Sequence, residues 1–166
     1  MNAEELKNLQ APLKEKYRAH PESAIITLKT QGKVGEGVSC KINTGRALVE
    51  AGLHPATGGT GILVCSGDML LEALAACAGV TLKAVATAIG VEIKEGIIKV
   101  EGDLDFKGTL GVSKEAPVGF KNIRLTFELD SNATDEQMAS LQKLTERYCV
   151  VYQTLLKGVN VETQFV

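Results

Sequence analysis

The sequence lacks a concentration of charge of either sign. Its 18 basic and 20 acidic side chains give a formal net charge of -2, and neither sign is gathered into a block. Proteins that bind nucleic acid or an anionic membrane surface normally carry a basic patch, so neither partner is expected. Small molecules and other proteins are the expected partners.

An apolar leader and an uncharged membrane-length run are also lacking. Residues 1–7 carry two acidic side chains and no apolar region, and the most apolar run, residues 68–89, contains Glu72 and Lys83. These features argue against a signal peptide and against a membrane span. We therefore predict a cytoplasmic protein.

The four cysteines include no Cys-x-x-Cys pair. They are Cys40, Cys65, Cys77 and Cys149. In a reducing compartment they are not expected to be structural disulfides, and their spacing does not favour a zinc site. No metal and no cofactor are predicted.

The sequence contains no internal repeat, no low-complexity segment and no long linker, so we predict a single domain over residues 1–166, with residues 1–20 as an N-terminal helical extension. The expected order is helix, strands, long helix, strands, helix, strand, which is typical of an α+β fold. The expected strands are residues 24–30, 38–42, 47–51, 91–106, 120–129 and 159–166, and the long helix is residues 68–89.

Capping residues mark several element ends. Asn43-Thr-Gly45 predicts a hairpin turn, and Gly90 is a natural stop for the long helix. Thr134 and Gln137 form a capping-box pattern, and Gly158 closes the last helical segment. The long helix is apolar on nearly all faces, which suggests that a second subunit covers part of it.

Two cysteines lie in helix-like runs. Cys77 lies in the middle of residues 68–89, and Cys149 lies late in residues 145–152. Each thiol is either a small buried hydrophobic group or a shielded nucleophile, and only a thiolate reacts. Cys65, next to the start of the long helix, is a second candidate thiol. His54 could line a pocket, but a loop histidine before proline is more often a local hydrogen-bond partner.

The residues then resemble a known family. Gly58-Gly59, the run Leu-Leu-Glu-Ala-Leu-Ala-Ala-Cys77, the later Tyr-Cys149-Val and the final Gly-Val-Asn-Val are similar to the OsmC/Ohr family, from about residue 24 to the C-terminus. The resemblance implies antiparallel sheets packed around two central helices in an intertwined homodimer. It also implies an organic hydroperoxide reductase with Cys77 as the peroxidatic thiol and Cys149 as the resolving thiol. A sulfenic acid would form at Cys77 and condense with Cys149 to a disulfide, which an external thiol or dithiol would reduce.

A thiolate at Cys77 requires support. Because Cys77 lies in the middle of its helix, the N-terminus of that helix cannot lower its pKa, so we expect a cation from another segment. The Ohr branch uses an arginine on an early strand, for which the nearest local match is Lys33; Arg46 and Arg147 are the rival candidates.

The Ohr branch also places a glutamate ten residues before the reactive cysteine, where this sequence has Gly67. This departure leaves an alternative function open, a non-catalytic protein of the same fold that binds a small apolar ligand.

Overall fold

In the computed structural model, residues 48–165 are described continuously, together with residues 2–5, 7–8, 10–11, 19–20, 32–34 and 39–43. Residues 3–5, 7–8 and 10–11 have helical backbone. The N-terminal extension over residues 1–20 stays a prediction. The strand predicted at residues 24–30 lies outside the described residues.

Helices and strands are mixed along the chain, which confirms the α+β class. A short 3₁₀ turn at Pro55–Thr57 precedes the long helix. In chain order the elements are β1 Gly32–Val34, β2 Ser39–Asn43, β3 Leu48–Gly52, β4 Val64–Cys65, α1 Ser66–Ile89, β5 Ile93–Asp103, α2 Phe106–Thr109, β6 Asn122–Ser131, α3 Asp135–Tyr148 and α4 Val150–Lys157.

The strands form two sheets. In the first, β1 and β2 are antiparallel, β2 and β3 are antiparallel, and β3 and β4 are parallel. The pairing of β2 with β3 agrees with the predicted hairpin, although its connecting residues 44–47 lie outside the described part. The second sheet pairs β5 with β6. Lys99 pairs with Glu128 and Arg124 with Asp103, so the two strands run in opposite directions.

The chain divides into two compact units. One contains residues 1–16, 73–99 and 126–166, and the other contains residues 17–72 and 100–125. In the first unit, α1, α3 and the start of β5 bury a common core of leucine, valine, isoleucine and alanine side chains. Its members are Leu82, Val85, Ala86, Val91, Ile93 and Leu141. Full burial of each large aliphatic side chain contributes about 1.5–3 kcal/mol to folding.

Local capping chemistry ends the helices where the sequence predicts. Gly90 adopts a φ of 74°, and the N–H of the next residue donates to the carbonyl of Ala86 at 2.9 Å. Thr134 and Gln137 form the predicted capping box, with hydrogen bonds of 3.2 and 2.9 Å. Gly158 follows α4 with a φ of 68°.

Two segments differ from the expectation. The helical run around Cys149 is divided into two helices at that residue. Residues 158–165 belong to no helix or strand, so the predicted terminal strand is wrong for the described residues. Its residues have the composition of a strand, but they pair with no strand within the part of the chain that is described.

The α1 helix is long and apolar enough to cross a membrane by length and composition. A core helix of a soluble protein has the same properties, and this helix carries Glu72 and Lys83. The Lys83 Nζ donates to the carbonyl of Ile93 at 3.2 Å. The helix therefore does not indicate a membrane protein.

Candidate functional site

Cys77 lies at the edge of the buried face of α1. The neighbouring side chain of Ala78 is fully buried, whereas Cys77 is partly exposed. Thr81 lies four residues later, which places its side chain beside Cys77 on the same helical face. This position keeps the thiol accessible to a small reactant.

Cys149 forms the junction of α3 and α4 and is 1% exposed. Its N–H donates to the carbonyl of Thr145 in α3 at 3.0 Å, and its carbonyl accepts from the N–H of Gln153 in α4 at 2.9 Å. Its ψ of 108° is extended, so it is the C-cap of one helix and the N-cap of the next. The Cys149 side chain makes no capping hydrogen bond. The first N–H groups of α4 therefore need another acceptor.

The sulfur of Cys77 lies at this helix N-terminus. Partial burial raises the pKa of Cys77, but hydrogen bonds from the Val151 N–H, the Cys149 thiol, the Val150 N–H and the Thr81 hydroxyl lower it, and the net direction is downward. Hydrogen bonds that favour the charged form lower the pKa of a thiol, as does the positive end of a helix. The N–H groups at the N-terminus of α4 and the Cys149 thiol supply this support, and the helix that carries Cys77 adds only the Thr81 hydroxyl.

The pKa of Cys149 shifts in the opposite direction. Burial raises the pKa of this thiol, and the adjacent Cys77 raises it further through its hydrogen bond and its charge, while the N–H groups of Tyr152 and Val151 offset only part of the increase. The pair therefore consists of an accessible thiol with a lowered pKa and a buried thiol with a raised pKa.

The three basic residues predicted to assist Cys77 are placed differently. Arg147 is exposed, its guanidinium carbon lies 5.6 Å from the ring centroid of Tyr148, and it is not among the groups that shift the pKa of Cys77. Lys33 lies in β1, of which only the backbone is described, and Arg46 lies outside the described residues. Their roles stay predictions.

Sequence reasoning missed three donors to Cys77. Thr81 could have been found from its spacing of four residues on a helix. The N–H groups of Val150 and Val151 could not, because no glycine, proline or asparagine marks the break between α3 and α4. A cysteine is not a preferred N-cap residue, so Cys149 does not predict the start of a new helix.

The second unit contains a separate cavity of about 370 Å³ that includes the Cys65 thiol. His54 stacks on Phe106 with the ring centroids 4.9 Å apart, and its Nδ1 accepts from the N–H of Ala56 at 3.0 Å. The prediction of a local hydrogen-bond role for His54 is therefore confirmed. The lining residues are His54, Cys65, Gly67, Asp68, Leu71, Gly102, Asp103, Leu104, Phe106 and Phe120.

Two further features define this cavity. A Cβ atom on Gly67 would lie 3.6 Å from the Cys65 Sγ, so the glycine leaves space beside that thiol. Arg124 hydrogen-bonds to Asp103, with Nη2 and Oδ1 2.8 Å apart, and holds the pKa of that carboxyl below its usual range. Within the described part of the chain, no three His, Cys, Asp or Glu side chains are grouped to hold a metal ion.

The described residues form an α+β fold in which the partly exposed Cys77 thiol is hydrogen-bonded to the buried Cys149 thiol. This arrangement defines a class of proteins with one accessible and one buried thiol in a pair. The model of the family described as OsmC-like protein matches residues 59–164. The chain belongs to this family.

Solved structures of the family show the same fold. An OsmC-like protein from Mycoplasma pneumoniae has a TM-score of 0.67 and 17% identity, over 80% of this chain and 89% of that chain. An organic hydroperoxide resistance protein OsmC from Legionella pneumophila has a TM-score of 0.62 and 16% identity, over 81% and 93%. The organic hydroperoxide resistance protein OhrB of Bacillus subtilis has a TM-score of 0.52 and 20% identity, over 82% and 96%. None of the curated proteins matches the sequence. The predicted OsmC-like fold is confirmed.

Proposed function

We propose that this protein is a cysteine-based thiol peroxidase that reduces organic hydroperoxides. The observation that carries the proposal is the hydrogen-bonded pair of Cys77 and Cys149, in which the pKa of the accessible thiol is lowered and that of the buried thiol is raised. Attack on a peroxide requires a thiolate, and the second step requires a thiol close to the oxidised sulfur. Structural relatives named as organic hydroperoxide resistance proteins support the substrate class.

The reaction proceeds in two steps at the sulfur atoms. The Cys77 thiolate attacks the distal peroxide oxygen, the O–O bond breaks, and the alkoxide takes up a proton and leaves as an alcohol. Cys77 is then a sulfenic acid. Cys149 loses its proton and attacks the Cys77 sulfur, the S–S bond forms, and the sulfenic oxygen leaves as water. An external thiol or dithiol is oxidised to restore both thiols.

The N-terminus of α4 supplies the support that a thiolate needs. A helix N-terminus carries about half a positive charge and directs free N–H groups outward. Val150 and Val151 present two such groups to Cys77. A cation from Lys33, Arg46 or Arg147 remains part of the proposal and would add to these donors. A cation is no longer the sole means of favouring the thiolate.

Apolar side chains next to Cys77 favour an organic substrate over hydrogen peroxide. Val80, one helical turn after Cys77, is 73% exposed, and Val150, whose N–H approaches the sulfur, is 71% exposed. An alkyl or aryl group covering these side chains removes apolar surface from water, which contributes about 25 cal/mol per Å². Hydrogen peroxide has no group that gains this energy.

The reductant is expected to be an external thiol that attacks the Cys77 sulfur. Cys149 is 1% exposed and cannot receive a bulky thiol, whereas Cys77 is partly exposed. Attack at Cys77 releases Cys149 as the leaving group and forms a mixed disulfide that a second thiol resolves. A reducing cytoplasm, the proposed location, supplies such thiols.

The proposal is tested by mass spectrometry of the reduced protein after one equivalent of cumene hydroperoxide, with hydrogen peroxide in parallel. The expected result is rapid loss of two hydrogen atoms and a peptide pair joined through Cys77 and Cys149, faster with cumene hydroperoxide. Cys65→Ser is the matched control and should react as the parent does. If Cys77 oxidises no faster than a free thiol, the catalytic assignment is wrong.

A homodimer is part of the proposed assembly. Val159 and Val161 alternate with polar residues, and they are 65% and 77% exposed; the segment pairs with no strand among the described residues. Such an extended segment can add to the sheet of a second copy through main-chain hydrogen bonds. Val161→Pro removes one main-chain N–H donor from this segment. The molar mass from light scattering should be that of a monomer for Val161→Pro and that of a dimer for the parent. A monomeric parent would exclude the dimer.

The cavity beside Cys65 favours a second candidate function, the binding of a small ligand with an apolar body. Leu71, Leu104 and Phe120 supply apolar walls. Gly67→Leu would fill the space next to Cys65. Calorimetric titration with small aromatic probes should show binding that Gly67→Leu abolishes and Cys77→Ser retains. Absence of binding to the parent would exclude this function for those probes.

A further inference from the structure

Thr145 contains a buried hydroxyl that the fold leaves unused. The residue is 2% exposed, and its Oγ1 has no hydrogen-bond partner in the described part of the chain. Most buried hydroxyls are hydrogen-bonded, and an unpaired one reduces the free energy of unfolding. A valine would fill the same volume without that cost. The hydroxyl therefore calls for a functional explanation.

The helix places this hydroxyl beside the resolving thiol. Thr145 lies in the last turn of α3, and Cys149 is the C-cap four residues later, whose N–H donates to the Thr145 carbonyl at 3.0 Å. Both residues are almost fully buried. One helical turn therefore separates the Thr145 hydroxyl from the residue that carries the resolving thiol. One turn earlier, Leu141 belongs to the apolar core. Among the described residues, Thr145 is the one buried polar residue.

The packing of α3 on α1 determines which part of α1 lies opposite Thr145. Leu141 joins the core cluster that contains Leu82 and Val85, while Cys149 lies at Cys77. As α3 advances, its contacts on α1 move back toward the N-terminus, so the two helices are antiparallel. Thr145 lies opposite the stretch of α1 between those two contacts. Thr145 therefore lies on α3 between the core residue Leu141 and the thiol pair.

We propose that the Thr145 hydroxyl is the hydrogen-bond donor to the Cys149 sulfur in the resolving step, when that thiol gives up its proton and attacks the sulfenic acid of Cys77. This inference rests on the proposed peroxidase function. A neutral thiol is a weak acceptor, so the hydroxyl gains little in the reduced protein. It gains a charge-assisted hydrogen bond once the sulfur becomes negative. A donor that acts only in the charged state lowers the barrier without stabilising the starting state.

The buried setting explains why such a donor is needed. Burial raises the pKa of the Cys149 thiol, and the nearby Cys77 raises it further. The atoms balance in the step itself: the Cys149 proton is released, the S–S bond forms, the S–O bond breaks, and hydroxide leaves and takes up a proton. The Cys149 sulfur is oxidised and the Cys77 sulfur is reduced. The Thr145 hydroxyl keeps its own proton throughout.

The test compares Thr145→Val with Thr145→Ser. Rapid quenching with an alkylating reagent after one equivalent of cumene hydroperoxide separates the sulfenic acid from the disulfide. We expect Thr145→Val to oxidise at Cys77 at the parent rate but to form the disulfide about tenfold more slowly, less than the loss for a strong oxyanion donor because sulfur accepts weakly. Thr145→Ser retains the hydroxyl and should stay near the parent rate. The Tm of Thr145→Val should be unchanged or higher, because an unpaired polar group has been removed.

A second measurement does not depend on peroxide chemistry. In a Cys77→Ala background, the pH dependence of Cys149 alkylation by a small reagent reports the ionisation of that thiol. Adding Thr145→Val should move the midpoint to higher pH, and Thr145→Ser should not. Equal midpoints together with an unchanged rate of disulfide formation would overturn the role of Thr145. If the parent forms no sulfenic acid, the peroxidase proposal fails by itself, and the alkylation midpoints still decide whether Thr145 acts on Cys149.

Discussion

Val150→Pro tests whether the N-terminus of α4 supports the Cys77 thiolate. Val150 is the first residue of α4, where proline is well tolerated because its φ suits the helix and the missing N–H has no partner within the helix. Cys149 before it has a φ of -72° and a ψ of 108°, close to the extended backbone that a residue preceding proline adopts. The Val150 side chain is 71% exposed, so little packing is lost. The substitution removes one N–H donor, and Val150→Ala retains it as the control.

The magnitude follows from the hydrogen bond that is lost. A hydrogen bond to a charged group contributes about 1.5–3 kcal/mol, and the partial exposure of Cys77 reduces this to about 1 kcal/mol. A loss of this size lowers the thiolate fraction by about fivefold at a pH below the pKa. A more basic thiolate is also more nucleophilic, with a Brønsted coefficient of about 0.4–0.5. The net effect is a reaction about two- to threefold slower at low pH and about twofold faster at high pH.

The assay is the rate of Cys77 alkylation by iodoacetamide as a function of pH, in a Cys65→Ser background. The curves of Val150→Pro and Val150→Ala should cross near the ordinary pKa of a thiol. Circular dichroism checks that both variants remain folded. Superimposable curves would show that the Val150 N–H does not act on Cys77.

Three further predictions concern stability. Because the pKa of Cys77 is lowered in the folded state, ionisation of its thiol stabilises the fold at a pH above the unfolded pKa, and this contribution is lost as the pH falls through the folded pKa. In denaturant titrations at several pH values, the difference in the free energy of unfolding between the parent and Cys77→Ala should grow up to the ordinary thiol pKa. A constant difference would contradict the assignment. Leu141→Ala empties a site that is 0% exposed and should lower the free energy of unfolding by about 2–5 kcal/mol in urea, whereas a loss below 1 kcal/mol would argue against a shared core. Gly90→Ala forces a side chain into a φ of 74° and should lower the Tm, and an unchanged Tm would mean that this turn relaxes at no cost.

Features encoded by a few adjacent residues were predictable from the sequence. Gly90 ends α1 because a positive φ is accessible to glycine, and Thr134 begins α3 because its hydroxyl accepts an orphan N–H. The α+β class follows from the alternation of the two hydrophobic periods. The single-domain organisation over residues 1–166 stays a prediction.

Features that depend on tertiary contacts were not predictable. The apolar pattern continues from α3 into α4 without a break signal, so the sequence favours one helix through Cys149. The chain turns there while the N–H groups of Val150 and Val151 find an acceptor in Cys77, which lies more than seventy residues earlier. The terminal segment shows the same limit, because its alternating valines predict a strand whose partner is not encoded nearby.

The helix break at Cys149 has a consequence for how oxidation could be detected. The Cys77 sulfur is the acceptor at the N-terminus of α4 and comes from a distant part of the chain, and a thiolate there loses its negative charge when the disulfide forms. The amide protons of Val150 and Val151 then lose their acceptor. Hydrogen–deuterium exchange at these amides should therefore be faster in the oxidised protein, so that the first turn of α4 reports the redox state of the thiols to any method that follows backbone protection.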